Sequence, residues 1–249
     1  MLETCSTCGG SGWKISERDG MSAAERCDCS RVGRASWLEE QANIPILYEN
    51  ASVENFVLPP DNPTARTGLG TALLTVKSYI REYPACSKPG LLFLGNPGTG
   101  KTHLAIAALR GLLARGFEGM FFDFQNLLDR IRSGYDKASG TSDKEAYRTA
   151  LETEIIVLDD LGAHRVTDWV EDTVTSIITH RCNNRKATII TTNLRDSTSD
   201  QFGSRTEADI QSKYFLEERI GARARSRLFE MCKVIKMPTV EDYRMRKRN

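Results

Sequence analysis

After Pro89 the chain alternates between short apolar runs and longer segments in which apolar residues recur at helical spacing. The short runs predict buried strands and the periodic segments predict helices. The predicted strands are Leu91–Leu94, Met120–Phe124, Ile155–Leu158 and Thr188–Thr191. The predicted helices are Lys101–Ala114, Gln125–Ser133, Asp168–Arg181 and Leu216–Met231. Strands that alternate with helices indicate an α/β fold on a mostly parallel sheet, although the pattern does not reveal the strand order.

The chain before Pro89 follows no single pattern. Residues 1–30 are rich in Cys, Gly and Ser and show no clear period. A short helix is predicted over 31–42, and the proline-punctuated segment 44–63 indicates an irregular entry into a larger domain. We therefore divide the chain into an N-terminal module of residues 1–43 and a main domain of residues 44–249.

Composition suits one main core and a small additional module, with 249 residues, of which 40% are hydrophobic and 27% charged. The net charge of +1 neither favours nor excludes nucleic acid, but its distribution is uneven. Residues 219–249 hold ten Lys or Arg against three Asp or Glu, a surplus that can meet phosphates, whereas residues 1–44 hold five against seven.

Targeting signals are not apparent in the sequence. It contains no apolar run near the roughly 18 residues of a membrane span, and MLETCSTCGG lacks the basic and apolar regions of a signal peptide. Seven cysteines without an export signal favour a reducing compartment, so we expect a cytoplasmic protein without membrane partners.

A phosphate-binding loop is the clearest motif. It fits G-x-x-x-x-G-K-[ST], lies between a predicted strand and a predicted helix, and comprises Gly95, Asn96, Pro97, Gly98, Thr99, Gly100, Lys101, Thr102 and His103. Glycines let successive N–H groups point at phosphate oxygens, and the helix start adds its positive dipole end. Lys101 would contact the β and γ phosphates of ATP, and the Thr102 hydroxyl would be a ligand of Mg²⁺.

Polar residues follow two other predicted strands. Asp159 and Asp160 come directly after a buried strand. Asp159 would hold Mg²⁺ through water, and Asp160 would orient or deprotonate the attacking water. Asn193 ends the strand of TIITTNL, where its amide can lie between the γ phosphate and that water, or can simply form a turn.

Three stretches in this order carry a family resemblance: GNPGTGKTHLA, LDDLGAHRVTDWVEDTVTSIITHRCNNRKATIITTNL and RARSRLFEMC. They resemble the AAA+ ATPases of bacterial and phage helicase loaders, of the DnaC/DnaI type, to which the IstB-type transposition ATPases are related. The resemblance covers residues 45–249. It implies an AAA+ P-loop core with a parallel sheet flanked by helices, which binds and hydrolyses ATP with Mg²⁺.

The resemblance also implies roles for single residues. Asn193 is similar to the family's sensor residue, Arg227 matches an arginine that reaches the γ phosphate of a neighbouring subunit, and Arg244 resembles a second sensor arginine. A guanidinium is always charged and can bind phosphate at two points, which suits this role. A solvated basic helix face is the alternative for Arg227, as it is for Arg219 and Arg223. An arginine acting in trans implies self-association through the ATP site.

Two residues depart from the family pattern. Asp160 stands where AAA+ proteins usually have Glu, which predicts weak turnover stimulated by DNA or a partner. His164 stands where relatives often have Glu, and the sequence offers no physical account of it.

Single-stranded DNA is the nucleic acid that the family's loaders engage. The segment 125–148 holds five basic and four acidic residues, which a solvated mixed-charge surface explains equally well. We therefore expect weak, nucleotide-assisted binding of single strands.

Four cysteines near the start have the spacing of a metal site. Cys5-x-x-Cys8 and Cys27-x-Cys29 can close a tetrahedral Zn²⁺ site, and metal would supply the folding free energy that so small a module lacks. The alternative is a flexible, redox-sensitive tail. The negative charge of the module favours a protein partner over DNA.

These observations together predict a helicase loader, which delivers the replicative DNA helicase onto single-stranded DNA, with the cysteine module docking on the helicase. A transposition ATPase that delivers a transposase to target DNA shares the same core and chemistry and is the alternative. A third class, an adaptor that binds nucleotide without turnover, stays open because of Asp160.

Overall fold

A computed structural model describes residues 5–8, 11, 13–18, 21–133, 142–163, 167–196 and 215–246. Near the start, β1 (Trp13–Arg18) and β2 (Met21–Arg26) form an antiparallel hairpin, with Trp13 opposite Arg26 and Arg18 opposite Met21. The sequence analysis did not identify this hairpin, since residues 1–30 show no clear period. The hairpin joins the two cysteine pairs, so it brings chain segments that are far apart in sequence to one end of the module.

The helical entry to the core starts with α1 (Asp28–Gln41) and a 3₁₀ turn (Ile46–Tyr48). The next helix, α2 (Pro63–Glu82), has the expected start signals: the Asn62 side chain accepts a hydrogen bond from the backbone N–H of Ala65, and Pro63 occupies the first turn. Leu69, Val76 and Tyr79 recur at helical spacing along this helix and are buried in the core.

The remaining elements alternate between strands and helices, as the apolar pattern predicts. In chain order they are β3 (Gly90–Leu94), α3 (Lys101–Ala114), β4 (Gly119–Asp123), α4 (Phe124–Ser133), α5 (Ser142–Glu152), β5 (Ile155–Asp159), α6 (Asp168–Asn183), β6 (Ala187–Thr192), α7 (Leu216–Met231), β7 (Cys232–Lys236) and α8 (Tyr243–Arg246). Each strand and helix predicted after Pro89 is present. Lys101–Ala114 and Leu216–Met231 have the predicted bounds, and the ends of the others differ by at most two residues. The sequence analysis did not identify α5, β7 or α8.

The five strands of the main sheet run parallel in the order β4-β5-β6-β3-β7. Parallel strands end at one edge of the sheet, so the loop after β3, the acids after β5 and the amide after β6 meet there. Because β6 lies between β3 and β5, Asn193 is placed between the phosphate loop and Asp160.

The sheet is buried on both faces, which explains its continuous apolar strands. Residues of β3 alternate between two clusters: Leu91 and Phe93 face the layer that contains α2 and α3, whereas Leu92 and Leu94 face the layer that contains α4, α6 and α7. This is the parallel α/β arrangement expected from the sequence. Among the helices that the structure describes, none is long and apolar enough to cross a membrane.

The last turns of α1 pack against the main domain. Leu38 and Ala42 belong to the same apolar cluster as α3. Glu39 accepts a 2.6 Å hydrogen bond from Arg110 of α3, and the N–H of Phe121 on the edge strand β4 donates to the Ala42 carbonyl at 2.7 Å. The end of α1 thus covers the edge of β4, where unpaired backbone groups would otherwise face solvent. The division at residues 43 and 44 remains a prediction about function, and any truncation should leave α1 in place.

Arg181 is a fully buried cation at the opposite end of the sheet from the phosphate loop. Its guanidinium donates to the hydroxyl of Thr188 at 2.9 Å. It also donates to the carbonyls of Ala150, Leu151, Thr153, Glu154 and Ala187. Burial lowers the pKa of Arg181 to about 9. This side chain ties the end of α5 to the starts of β5 and β6, and so helps to fix their register.

Candidate nucleotide site

The phosphate loop leaves β3 and enters α3 with glycines in left-handed conformations, at φ 74° for Gly98 and φ 89° for Gly100. The space that a side chain at Gly100 would fill is taken by the Phe56 ring, and Asp242 occupies the space beside Gly98. Thr99 is buried, and its hydroxyl donates to the Asn96 carbonyl at 2.9 Å. The loop therefore packs closely against the segments that contain Phe56 and Asp242, which the sequence analysis did not connect with it.

Lys101 points into the loop and is almost fully buried. Its ammonium donates to the carbonyls of Gly95 and Asn96, at 2.7 and 2.8 Å, and to the Asn193 side-chain oxygen at 2.7 Å. Three oxygens thus hold a positive charge inside a loop of the phosphate-binding type. This is the position in which the ammonium would meet phosphate oxygens.

The Asp159 carboxylate is held by two threonines. Its Oδ1 atom accepts from the Thr102 hydroxyl at 2.9 Å and from the Thr191 hydroxyl at 2.6 Å. Burial raises the pKa of Asp159, while the bonds from Thr191 and Thr102 oppose that shift. The structure thus brings together Thr102 and Asp159, the pair predicted to hold Mg²⁺, and their oxygens are of the kind that this ion prefers.

Asp160 adopts a left-handed backbone conformation, with φ 58°. Its N–H donates to the Thr191 hydroxyl at 2.9 Å, and its carboxylate accepts from the Asn193 amide at 2.6 Å. A continuous chain of hydrogen bonds therefore runs from Lys101 through Asn193 to Asp160. The predicted sensor and the predicted water-positioning residue are in direct contact.

Thr191 is the site residue that the sequence analysis missed. Its single hydroxyl serves both acids, because it donates to Asp159 and accepts from Asp160. The available signal was a threonine in a largely apolar predicted strand, and all six residues of β6 are buried. A buried hydroxyl needs partners, and here the partners are on the neighbouring strand.

His103 faces away from the loop interior. Its Nε2 atom lies 2.9 Å from the Ser52 carbonyl, and its ring packs on Phe56 with centroids 5.4 Å apart. These contacts tie segment 52–56 to the first turn of α3. Contact between His103 and nucleotide remains a prediction, as it does for Pro97.

The two predicted arginines lie on different elements. Arg227 is on α7 at the surface, where its Nη1 atom donates to Glu230 at 2.8 Å, and this bond raises its pKa. Arg244 is in α8, and its side chain lies outside the described residues. The Tyr243 N–H donates to the Gly98 carbonyl at 3.3 Å, so α8 begins beside the phosphate loop.

The segment proposed for DNA forms α4 and α5. The Arg132 guanidinium lies over the Trp169 ring, 4.7 Å from its centroid, and Arg148 is exposed. The side chains of Lys137 and Lys144 lie outside the described residues, as does His164. A role of this surface in DNA binding remains a prediction.

The four N-terminal cysteines converge. Their sulfur atoms lie within 4.8 Å of one another, with Cys5 and Cys27 3.9 Å apart and Cys8 and Cys29 3.3 Å apart. A zinc tetrahedron with Zn–S bonds of about 2.3 Å spaces its sulfurs by roughly 3.8 Å, so the cluster fits this ion. Hydrogen bonds from the N–H groups of Thr7 and Cys8 lower the pKa of Cys5 to about 6, whereas the hydrogen bond with the Cys8 thiol raises the pKa of Cys29. The case for metal therefore rests on the spacing of the sulfur atoms.

Known proteins share this architecture. The chain is 25% identical over 166 residues to the replicative helicase loader DnaC of Escherichia coli (strain K12), which covers 66% of this chain and 64% of that protein. The chain thus matches less than two thirds of that relative's length. A crystal structure of the DnaC helicase loader matches with a TM-score of 0.62 and 32% identity, over 78% of this chain and 100% of that one.

Other comparisons agree on the fold. A crystal structure of DnaI matches with a TM-score of 0.59 and 21% identity, over 82% of this chain and 98% of that one. The family model of IstB-like ATP binding proteins matches residues 79–248, which contain the phosphate loop, both acids and Asn193. The chain therefore belongs to the IstB-like ATP-binding family and is an AAA+ protein of the DnaC type.

Proposed function

We propose that this protein is a helicase loader, an ATP-dependent factor that delivers a replicative DNA helicase onto single-stranded DNA. The observation that carries the proposal is the similarity to a DnaC helicase loader over the whole of that chain, at 32% identity. The family model takes its name from IstB, but the Escherichia coli relative and the DnaC crystal structure described above are named as helicase loaders. Transposase delivery is therefore not favoured.

The nucleotide would bind at the carboxyl edge of the sheet. Lys101 would exchange its contacts with Gly95 and Asn96 for phosphate oxygens. The Thr102 hydroxyl and the Asp159 carboxylate would hold Mg²⁺, which offsets phosphate charge when bound. Asp160 and Asn193, already joined at 2.6 Å, would orient the attacking water.

ATP would act chiefly as a switch between assembled and released states. Arg227, partly exposed on α7, would complete the site of a neighbouring copy, so turnover would be weak until copies assemble on helicase or DNA. DNA would bind weakly and with nucleotide, through the mixed-charge surface of α4 and α5.

The N-terminal module would bind the helicase. Trp13 and Ile15 are exposed by 52% and 81% and stand two residues apart on β1, so they share one face of the hairpin. Zinc held by the four cysteines would keep this small hairpin rigid. Large apolar side chains on a rigid, metal-bound hairpin are suited to protein contact.

The decisive experiment measures binding of the purified protein to the replicative helicase of the same organism. The double variant Trp13→Ala/Ile15→Ala should weaken binding by at least about tenfold. The matched control is Leu74→Ala on α2, which removes an equally exposed apolar side chain, 67% exposed, and should leave binding unchanged. Equal loss in both variants, or no loss in the hairpin variant, would contradict the docking role.

Truncation must respect the packing of α1. Removing residues 1–43 would delete Leu38 and Ala42 from the core, whereas removing residues 1–27 keeps α1. The shorter deletion should lose helicase binding and keep ATP binding. Lys101→Ala should show the reverse loss, because it removes the loop ammonium and leaves the hairpin intact. In a loading assay on circular single strands, both variants should fail, and helicase loading by either one would refute the proposed function.

A further inference from the structure

The segments that follow β5 and β6 at the candidate nucleotide site lie against α7 at three places. Gly162, just after the two acids, lies where a side chain would meet Leu194 and the Cβ of Arg219. The N–H of Leu216 donates to the Arg195 carbonyl at 2.9 Å. Asp196, three residues after Asn193, pairs with Arg225. The segment that follows β6 is thus fastened to the helix that carries Arg227.

The pair between Asp196 and Arg225 is the strongest of these contacts. Asp196 is 4% exposed, and its Oδ1 atom accepts from Nε of Arg225 at 2.7 Å and from Nη2 at 2.5 Å. The Arg225 guanidinium also lies 4.7 Å from the centre of the Phe229 ring. A buried carboxylate that receives two N–H groups of one guanidinium fixes both distance and orientation.

Gly221 divides α7 into two pieces. Its backbone is non-helical, with φ 80° and ψ 153°, and the space of its missing side chain is filled by Glu171 of α6. The piece after this break, residues 222–231, carries both Arg225 and Arg227. Its attachment to Asp196 therefore sets the position of Arg227 independently of the first piece.

We propose that the Asp196–Arg225 ion pair is a coupling device, which transmits the nucleotide state sensed at Asn193 to the helical piece that presents Arg227. Asp196 and Arg225 are positioning residues in this account, since neither is placed at the reacting atoms. The inference rests on the proposed function and adds to it a route by which occupancy of one site adjusts the arginine offered to the next. Such coupling requires an element that both sites bias, and residues 222–231 are that element.

The test is amide hydrogen exchange of the purified chain, with and without a non-hydrolysable ATP analogue and Mg²⁺. In the wild-type chain, the analogue should slow exchange in residues 95–102 and alter exchange in residues 222–231 by about fivefold or more. In Asp196→Asn/Arg225→Gln the response of 95–102 should persist and that of 222–231 should vanish. The double variant removes both charges and leaves no unpaired buried ion, so it should fold.

Two further variants make the result specific. Asp196→Asn alone should also lose the response of 222–231. Glu39→Gln, which breaks the Glu39–Arg110 pair on the other layer, should keep both responses. A response of 222–231 that survives in the double variant would overturn the coupling, as would a wild-type chain in which only 95–102 responds. A wild-type chain without protection at 95–102 would instead refute nucleotide binding, and with it the proposed function.

Discussion

Thr191→Val tests whether one buried hydroxyl organises both acids of the site. The hydroxyl is 1% exposed, donates to Asp159 at 2.6 Å and accepts from the Asp160 N–H at 2.9 Å. Valine keeps the shape of the side chain and removes both bonds. The loss of a bond to a charged group and the orphaning of a buried N–H each cost about 1–3 kcal/mol. Because both effects come from one hydroxyl, we expect unfolding free energy to fall by about 3 kcal/mol in total.

The functional effect should appear in the requirement for Mg²⁺. Without Thr191, the Asp159 carboxylate keeps only its bond from Thr102, so it can rotate away from the ion. Loss of such a supporting partner typically weakens metal affinity by about 10–100-fold. We expect the Mg²⁺ concentration for half-maximal turnover to rise by that factor, with nucleotide binding in the absence of metal nearly unchanged.

Two neighbouring substitutions serve as controls. Thr191→Ser retains the hydroxyl and should restore the Mg²⁺ dependence. Thr192→Val removes a buried hydroxyl one residue further along, which donates to the Leu161 carbonyl at 2.7 Å and does not touch either acid. It should cost stability without changing the Mg²⁺ requirement. An unchanged requirement in folded Thr191→Val, or an equal change in Thr192→Val, would refute the reasoning.

Three other substitutions have definite expected outcomes. Arg227→Ala should leave nucleotide binding intact and reduce partner-stimulated ATP hydrolysis to its unstimulated level. The control Arg223→Ala, at an exposed residue one turn earlier, should keep the stimulation. Phosphate release measures hydrolysis in both variants, and intact stimulation in Arg227→Ala would refute the trans role of Arg227. Gly221→Ala forces a side chain into a backbone region that is nearly exclusive to glycine, so urea unfolding should show a loss of about 1–3 kcal/mol, and full stability would mean that α7 can straighten. Arg181→Met leaves several buried carbonyls without a hydrogen-bond donor, so the free energy of unfolding should fall by about 4 kcal/mol. The control Arg223→Met, at an exposed residue, should cause no measurable change. Similar urea midpoints for the two variants would show that the carbonyls find other partners.

The main elements could be predicted because their signals are local. The apolar run Leu91–Leu94 is buried on both faces, and the phosphate loop depends on residues adjacent in sequence. Strand β7 escaped prediction because it is a short edge strand in which only Cys232 and Ile235 are buried. The hairpin of β1 and β2 escaped because it has little apolar burial of its own, as the exposed Ile15 shows. Because the apolar side chains of the hairpin are not packed in a core, burial imposes no alternating apolar pattern along the two strands.

The contacts made by Thr191 and Asp196 could not be predicted, since they depend on strand order and on the position of α7. Periodicity does not state that β6 lies between β3 and β5, and without that order Thr191 has no visible partner. The Asp196–Arg225 pair joins residues 29 apart in sequence. Such contacts become apparent only when the sheet and α7 are placed together, whereas each residue by itself resembles an ordinary surface charge.

The identity of residue 160 follows from the turn that it occupies. Family resemblance leads to an expectation of Glu, and no pattern in the sequence explains Asp at this position. In the structure this residue has φ 58°, a left-handed conformation that Asp tolerates better than most side chains do. The turn is held by the bond from the Asp160 N–H to Thr191, and the short carboxylate then meets the Asn193 amide at 2.6 Å. A longer Glu side chain would carry its carboxylate past this amide. Asp160 therefore fits a site in which the carboxylate is held on the amide of Asn193, the predicted sensor. This arrangement suits the proposed nucleotide switch better than a fast motor.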